Sequence, residues 1–460
     1  MRVVPYSVRS FKALAERESR RGADISRTVP AVRSAVTALR DRRDQYRTEI
    51  AFLAQDSPER LAARDQFRSD REELRQRRDD AVENAMQGAL IQFEQALSSG
   101  DFTFDLEPGV NLDGRQTYRV SDALCVAFPE KQAAAVIRKL GHGDAQGRNG
   151  IIRALKEALG KRYAHAIYRL DIQSFFDSVP HDKLLSALRS VSRLDTVTSD
   201  LVSRLLEEFA SITGQRKGLP QGVAMSSHLA DFYLHGLDRR VKTAPGVLFY
   251  ARYVDDLVLV LEDEEALAAV QRQIDEELRD LGLTKHPLKT KPIITTANGD
   301  YPEGQALEYL GYRFTRAEGA LSTGLTATRH QRRVIKLESA LQRWLDSSPS
   351  SARPNHGQDG LLIDRLRYLA GNTKLLNSKD NVAIGLFFSN SALDPGAPEL
   401  IELDDVLQQF VQANTDKMSE GLRKKISAIS FVEMFIQRPF YRFDQQKVQR
   451  IVQAWRDGAR

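Results

Sequence analysis

Residues 247–262 have the sequence VLFYARYVDDLVLVLE, an apolar run that two acids interrupt. β-Branched and aromatic residues favour strands on either side of these acids, at Val247–Tyr253 and Leu257–Leu261. The pattern predicts an antiparallel hairpin with Asp255 and Asp256 at its turn. Because adjacent carboxylates repel, a divalent cation such as Mg²⁺ is expected to bind them. The alternative is an ordinary turn, where Asp is common.

A third acid, Asp171, ends the apolar segment AIYRL at residues 166–170. A carboxylate at a strand end can meet the acids of a hairpin across neighbouring strands. Three acids can hold two metal ions about 3.5–4 Å apart, the arrangement that stabilises both oxygens in phosphoryl transfer. Phe175 and Phe176 follow. Phe176 is positioned to lie beneath the sugar of a nucleotide, or else both rings belong to the core.

The segments around these strands alternate between helical and extended patterns. The order β-α-α-β-β-α-β predicts the α+β class, with helices packed against an antiparallel sheet. One final strand is predicted for EYLGYRFT at residues 308–315. The predicted helices are residues 179–194, 200–211, 221–243 and 264–281.

Five segments resemble, in order, the palm motifs of reverse transcriptases. They are YRLDIQSFFDSVPHDKLL (168–185), KGLPQGVAMSSHLADFYLHGLD (217–238), ARYVDDLVLV (251–260), LGLTKHPLKTK (281–291) and EYLGYRF (308–314). This resemblance implies a right-hand polymerase with fingers and palm that is an RNA-directed DNA polymerase. It also implies two Mg²⁺ ions, for which Mn²⁺ can substitute. The implied metal ligands are Asp171, Asp255 and Asp256, with the carbonyl of Ile172.

The same resemblance assigns expected roles to residues that bind nucleotide and primer. Phe176 would be the steric gate that excludes a 2′-hydroxyl, while Gln221 and Gly222 would border the nucleotide and template pocket. Lys289 would lie near the triphosphate, with two nearby lysines as rivals. Leu310 and Gly311 would seat the primer end. The rival lysines are Lys285 and Lys291.

The segment before the first motif departs from the family pattern. Family fingers usually carry a basic motif of the type Lys-Lys-x-Gly-x-Arg, and this chain has no clean match to it. The basic candidates for phosphate contact are Arg138, Lys139, Arg148 and Arg153. Segments resembling RNase H, integrase, protease or a zinc-bearing endonuclease are also missing. A retroviral enzyme or a complete mobile-intron protein is therefore disfavoured.

The flanking segments define the predicted domains. Residues 1–117 form a polar helical extension, before fingers and palm at 118–315. In residues 40–80 acids and bases alternate at helical spacing, which indicates a solvated, salt-bridged hairpin or arginines that line a nucleic-acid channel. The rest comprises a basic thumb-like helix, a linker and a helical C-terminal domain, at 316–346, 347–360 and 361–460.

This combination of palm and helical flanks resembles the bacterial defence-associated reverse transcriptases of the unknown-group and abortive-infection class. GNTKLLNSK (371–379) and FFSNS (387–391) are similar to the second polymerase of type-3 two-enzyme systems. The resemblance implies antiphage defence, with an RNA template, a DNA product and deoxynucleoside triphosphates. It also allows a small non-coding RNA, a partner subunit or an oligomer.

Three other functions remain open from the sequence. The first is a retron-like or intron-derived reverse transcriptase, for which the extension at residues 1–117 is awkward. The second is a polymerase-shaped regulator that binds RNA without synthesis, against which the three intact acids argue. The third is an RNA-dependent RNA polymerase, which the bulky Phe176 opposes.

The composition agrees with a nucleic-acid-binding protein in a reducing compartment. The chain has 460 residues, 28% of them charged, with a net charge of +5 and a pI near 9.1. Its single cysteine, Cys125, allows neither an internal disulfide nor a cysteine-built zinc site. Because the sequence lacks a long apolar run, we expect no membrane partner. We expect a cytoplasmic protein, and the resemblance to the defence-associated class implies a bacterial one.

Overall fold

A computed structural model describes residues 5–20, 25–112, 114–141, 147–288, 290–347, 356–374 and 382–456. The helices are α1 Val8–Arg20, α2 Pro30–Ile50, α3 Pro58–Ser99, α4 Leu124–Arg138, α5 Arg148–Leu159, α6 Phe175–Ser178, α7 His181–Arg189, α8 Thr196–Thr213, α9 Ala224–Lys242, α10 Glu264–Leu281, α11 Ala327–Ser347, α12 His356–Ala370, α13 Pro398–Ala413, α14 Glu420–Ser427, α15 Phe431–Gln437 and α16 Gln445–Arg456. None of them is long and apolar enough to cross a membrane.

The strands are β1 Glu107–Leu112, β2 Arg115–Arg119, β3 Ala166–Asp171, β4 Val247–Tyr253, β5 Asp256–Leu261, β6 Lys291–Ile294, β7 Leu307–Tyr309, β8 Tyr312–Ala317, β9 Ala320–Leu325, β10 Asn372–Lys374 and β11 Ala383–Gly385. They pair antiparallel in four small sheets. The predicted α+β class with antiparallel sheets is confirmed.

The chain divides into two compact units, each built from several segments. The first contains residues 1–143, 174–236 and 280–283. The second contains residues 144–173, 237–279 and 284–460.

The first unit is mainly helical, and its core is aromatic. Phe93, Phe102 and Phe104 are buried and meet edge to face, with centroids 5.3 and 5.1 Å apart. Glu208 on α8 accepts hydrogen bonds from the backbone N–H groups of Phe104 and Leu106, at 2.6 and 3.2 Å. These contacts fix the chain between α3 and the β1–β2 hairpin. Strand β1 lies within residues 1–117, for which the sequence predicts a helical extension.

Helices α2 and α3 form an antiparallel helical hairpin with a charged surface. The rings of Tyr46 and Phe67 stack at 4.2 Å across it. Arg42 bridges the two helices by donating to Asp70 at 2.7 Å. Phe52 lies in the connecting turn and is 94% exposed. The alternating charges of this region are therefore largely used in surface ion pairs.

The second unit is built on a four-stranded sheet of order β4-β5-β3-β6. Both central strands, β3 and β5, are almost entirely buried. A three-stranded sheet, β7-β8-β9, contributes to the same hydrophobic core as the C-terminal helices, through residues such as Tyr309, Trp344 and Phe435. Lys156 pairs with Asp394 at 2.6 Å and strengthens this packing.

The segment EYLGYRFT forms two strands instead of the predicted single strand. Leu310 and Gly311 adopt positive φ angles of 47° and 78° and make a tight turn between β7 and β8. A leucine in the left-handed region is uncommon, so the sequence gives no local signal for it. The turn is held by contacts from distant parts of the chain.

Candidate active site

The acidic hairpin forms as predicted, with its two aspartates at the turn. Tyr253 of β4 pairs with Asp256 of β5, leaving Val254 and Asp255 as the connecting residues. Val254 has a φ of +62°. A β-branched residue rarely adopts this conformation, which costs on the order of 1–3 kcal/mol. Surrounding contacts must therefore hold the turn.

Asp171 lies directly beside this hairpin. In the register of β3 and β5 it is the partner of Asp256. The backbone N–H of Ile172 donates to the Asp255 carbonyl at 3.0 Å, which continues the pairing past the strand end. The structure thus brings together the three aspartates that the sequence singles out. Asp171 is buried and the hairpin aspartates are half-buried.

The Ile172 carbonyl is oriented toward the same hairpin. The N–H and C=O groups of one strand residue point to the same side, and the N–H of Ile172 faces Asp255. On the other side of the strand, the backbone groups of the two flanking residues pair with the segment after α10. The Gln173 N–H donates to the Thr284 carbonyl, and the His286 N–H donates to the Asp171 carbonyl. The expected role of the Ile172 carbonyl as a metal ligand stays a prediction.

Asp256 is bound by an arginine that no local sequence pattern indicates as part of the site. Arg169 donates to both carboxylate oxygens of Asp256, from Nε at 2.9 Å and from Nη2 at 2.8 Å. Burial raises the pKa of the Asp256 carboxyl, and Arg169 opposes that rise. The only sequence signal was a charged residue two positions before Asp171 in an apolar strand. Its partner becomes visible only once the strand register is known.

The donor chemistry fits magnesium, because carboxylate and backbone oxygens are its preferred ligands. Each carboxylate oxygen has two acceptor sites, so Asp256 can hold Arg169 and still accept a cation. Within the described ranges, no group of three or more Asp, Glu, His or Cys side chains stands at metal-ligand spacing. Any metal site at these aspartates therefore requires their side chains to adjust.

A second arginine supports the turn from β4. Arg252 donates to Asp238 through Nε at 2.7 Å and Nη2 at 2.5 Å, and to the Val254 carbonyl at 2.9 Å. Tyr250 donates to the same Asp238 carboxylate. Burial raises the pKa of the Tyr250 hydroxyl well above its ordinary value, so it stays protonated. These contacts stabilise the backbone at the strained Val254.

The Leu310–Gly311 turn is held by two arginines from distant segments. The Leu310 carbonyl accepts from Arg148 at 2.6 and 3.1 Å and from Arg329 at 3.5 Å. Both guanidinium groups also lie over the Tyr312 ring, at 5.2 and 5.0 Å from its centroid. A side chain at Gly311 would contact Arg329 Cδ at 2.9 Å. Of the predicted phosphate-binding candidates, Arg148 is thus engaged with this turn.

The other basic candidates have different surroundings. Arg138, Lys139 and Arg153 are exposed. Lys289 lies outside the described residues. Its rival Lys285 forms an ion pair with Asp275 at 2.7 Å. Lys291, the other rival, begins strand β6.

In the first unit, Phe175 belongs to the core, whereas Phe176 is only partly buried. Phe175 is 1% exposed, whereas Phe176 is half-buried. The Phe176 carbonyl accepts from the Leu219 N–H at 2.6 Å, which ties it to the segment of the second motif.

Gln221 and Gly222 lie against the end of β2. The Tyr118 N–H donates to the Gln221 carbonyl at 2.6 Å. Gly222 has a φ of +99°, and a Cβ there would lie 2.7 Å from the Tyr118 carbonyl. Only glycine fits this position, so the close backbone approach explains the residue type.

The structure thus places an acid at a strand end beside an acidic hairpin, in an antiparallel sheet. Residues 118–314 match the family described as "Reverse transcriptase (RNA-dependent DNA polymerase)". This part of the chain is thus similar to the reverse transcriptase family.

Two curated relatives align with part of the chain. An "Uncharacterized 91 kDa protein in cob intron" from Schizosaccharomyces pombe is 27% identical over 157 residues, which cover 29% of this chain and 19% of that protein. A "Retrovirus-related Pol polyprotein from type-1 retrotransposable element R2" from Nasonia vitripennis is 28% identical over 173 residues, covering 34% and 17%. The chain thus spans less than a fifth of the length of these relatives.

Among solved structures, telomerase from Candida tropicalis is a distant neighbour. The alignment with the apo form covers 71% of this chain and 55% of the telomerase chain, at 12% identity and a TM-score of 0.35. The alignment with the same telomerase in complex with a fragment of telomeric RNA covers 71% of this chain and 56% of the telomerase chain, at 12% identity and a TM-score of 0.36.

Proposed function

We propose that this protein is an RNA-directed DNA polymerase whose two Mg²⁺ ions are held by Asp171, Asp255 and Asp256. The observation that carries the proposal is the placement of Asp171 opposite Asp256, with Asp255 bound to the backbone of Ile172. The match of residues 118–314 to the reverse transcriptase family supports it. Mn²⁺ is expected to substitute for Mg²⁺, because it accepts the same oxygen ligands.

The side chains have distinct tasks in this mechanism. Asp171 and Asp255, with the Ile172 carbonyl, supply oxygen ligands on one side of the hairpin, and Asp256 contributes the acceptor sites that Arg169 leaves available. When bound, the metal ions neutralise charge on the triphosphate and on the attacking primer oxygen. The rigid strands β3 and β5 keep the carboxylates in place between catalytic cycles.

Other residues select the nucleotide and seat the primer. We assign Phe176 as the steric gate, because its ring is accessible while that of Phe175 is buried. Gln221 and Gly222 border the nucleotide and template pocket, and Lys289 neutralises phosphate charge. Leu310 and Gly311 seat the primer end on a turn whose conformation Arg148 and Arg329 maintain.

The test is primer extension by the purified full chain on matched RNA and DNA templates. We expect deoxynucleotide incorporation on RNA with Mg²⁺ or Mn²⁺, and none after EDTA. Asp255→Asn with Asp256→Asn should remove incorporation while leaving the fold and nucleic-acid binding nearly intact. Amides match carboxylates in size but lack the charge that holds the ions. Incorporation by this double variant near the wild-type rate would contradict the proposal.

We further propose that the enzyme acts in antiphage defence, and that residues 1–117 and 361–460 select what is copied. The support is the resemblance of palm and helical flanks to the defence-associated class. Part of the supporting segment 371–379 lies outside the described residues. A small non-coding RNA or a partner subunit would bind these flanks, and the chain would use an RNA template to make DNA, as a monomer or an oligomer.

The defence role is tested by expressing the chain in a phage-sensitive bacterium and counting plaques. We expect fewer plaques with the wild-type protein and no protection with Asp255→Asn and Asp256→Asn. Protection that survives this double substitution would identify an RNA-binding regulator without synthesis. Sequencing the nucleic acid that copurifies with each protein would show which RNA is bound and whether DNA is made.

A further inference from the structure

Arg169 occupies a particular place on strand β3. It lies two residues before Asp171, so both side chains point to the same face of the sheet. In the register, Arg169 is opposite Val258 and Asp171 is opposite Asp256. Arg169 is therefore a diagonal neighbour of Asp256, within reach of a long side chain.

Arg169 and Asp256 form a bidentate ion pair. Nε and Nη2 donate to the two carboxylate oxygens at 2.9 and 2.8 Å. The Asp256 side chain is only 13% exposed and that of Arg169 is 25% exposed. Such a planar fork fixes the orientation of a carboxylate as well as its charge, which a lysine ammonium cannot do.

The remaining terminal nitrogen of Arg169 extends to another sheet. Nη1 donates to the Glu308 carbonyl on β7 at 2.5 Å. A second link runs parallel to it, from the Tyr309 hydroxyl to the Asp256 carbonyl at 3.0 Å. Strand β7 leads directly into the Leu310–Gly311 turn. One guanidinium group thus joins an acid of the catalytic hairpin to the strand that carries the proposed primer seat.

We propose that Arg169 is a positioning residue that fixes Asp256 and holds the catalytic hairpin in register with the primer-seating turn. The proposal rests on the proposed polymerase function and deepens it. Arg169 need not touch nucleotide, primer or metal. It acts through Asp256 on one side and through Glu308 on the other, so that the primer end and the carboxylates keep a fixed separation.

This role predicts a specific kinetic pattern. Without the fork, the hairpin and the turn can move independently, and misplacement by about 1 Å can reduce a rate by about a hundredfold. The loss should fall on kcat, since the groups that bind the primer–template are unchanged. Arg169→Lys keeps one charge but not the fork, so it should restore folding and part of the rate.

The experiment compares Arg169→Met, Arg169→Lys and the control Arg240→Met in the full chain. Arg240 also forms a two-point pair, with Glu277, in the same unit but away from the hairpin. We measure melting temperature, primer–template Kd without nucleotide, and kcat and KM for incorporation. The expected kcat loss is about 100-fold for methionine and about 10-fold for lysine, the range for residues that orient metal ligands. Primer–template Kd should stay within about twofold, and Arg240→Met should match the wild type.

A double-mutant cycle distinguishes positioning from general destabilisation. If Arg169 acts through Asp256, then Arg169→Met combined with Asp256→Asn should be no slower than Asp256→Asn alone. The combined variant also removes both buried charges, so it should fold even if Arg169→Met does not. Full additivity of the two losses would overturn the proposal, as would wild-type kcat in Arg169→Lys and Arg169→Met. An inactive wild-type chain would instead contradict the proposed polymerase function.

Discussion

Two hairpins in this chain carry many charges, and they use them in different ways. In the helical hairpin α2–α3, pairs such as Arg77–Glu73 are about two-thirds exposed on both sides. In the acidic hairpin β4–β5, the half-buried Asp256 has a side chain that is only 13% exposed and that forms a bidentate ion pair with Arg169. Water screens the first kind of pair, so it contributes little, while a buried charge depends strongly on its partner. Burial therefore distinguishes the charges of the proposed active site from surface charges better than charge density does.

The largest effect is expected at the buried end of β3. Asp171→Asn should lower incorporation by about a thousandfold or more, because metal ions contribute several kcal/mol of transition-state stabilisation. Single-nucleotide extension on an RNA template measures it, with circular dichroism as the control for folding. An Asp171→Asn protein with activity within tenfold of the wild type would remove Asp171 from its proposed role as a metal ligand.

A buried carboxylate outside the active site provides the next test. Glu130 on α4 accepts from the Met225 N–H at 2.7 Å, and burial raises its pKa from 4.5 to about 7. Between these values the unfolded carboxyl is ionised while the folded one keeps its proton. Rising pH therefore lowers the free energy of unfolding, by up to about 3 kcal/mol.

Glu130→Gln should remove this fall, and chemical denaturation between pH 4 and pH 8 measures it. The exposed Glu94 on α3 supplies the matched control, Glu94→Gln, which should keep the wild-type pH dependence. Parallel curves for the wild type and Glu130→Gln would show that this carboxyl titrates normally.

The third effect concerns sugar selection. Phe176→Ala or Phe176→Val should raise the incorporation of ribonucleotides relative to deoxynucleotides by about 10- to 100-fold, because shape exclusion alone contributes about 1–3 kcal/mol. Matched nucleotide pairs on one template give the ratio. Phe175→Ala is the companion variant, and it should affect folding instead. A ratio unchanged in Phe176→Ala but altered in Phe175→Ala would move the gate to the neighbouring ring.

The basic cluster on α14 tests whether charges of the C-terminal region bind nucleic acid or are only solvated, as in the α2–α3 hairpin. Leu422 and Ile426 are buried, so Lys424 and Lys425 face solvent. Charge reversal of Arg423, Lys424 and Lys425 should weaken binding of the copurifying RNA and reduce the log–log salt slope by up to about 2, at 0.7 per phosphate contact.

Extension of an artificial primer–template should continue at the wild-type rate in this variant. Loss of generic extension would make the C-terminal region an integral thumb. If both RNA binding and primer extension are unchanged, the three basic residues are solvated surface charges like those of α2–α3 and do not bind nucleic acid.

The smallest effect is expected in the helical hairpin itself. Arg77→Met breaks an exposed pair between residues four apart, which contributes about 0.3–0.5 kcal/mol. Melting temperature and incorporation should both match the wild type within error. A loss of template binding would instead support the alternative that arginines of this hairpin line a nucleic-acid channel.

Local sequence patterns predicted the elements that carry strong periodicity. Helix α10 begins and ends where the amphipathic pattern places it, at Glu264 and Leu281, and the acidic hairpin forms around Asp255 and Asp256. These elements succeed because their apolar spacing matches the period of a helix or a strand. The three aspartates follow from the same patterns.

Features set by distant contacts were not predicted. Arg169 could not be assigned a partner before the register of β3 and β5 was known. The sequence predicts strand at Leu310, whereas the turn observed there depends on Arg148 and Arg329, which are far away in sequence. Local preference cannot report a strain that tertiary contacts maintain.

The left-handed Val254 has a consequence for engineering this protein. Selection for heat resistance favours substitutions that relax an unfavourable backbone, and glycine adopts this conformation without a steric penalty. A thermostability screen should therefore enrich Val254→Gly early. The same change would loosen the connection between β4 and β5 beside Asp255, so under the proposed function the variants that survive heating best would be poor polymerases. Directed evolution of this chain would need to select for synthesis and stability together.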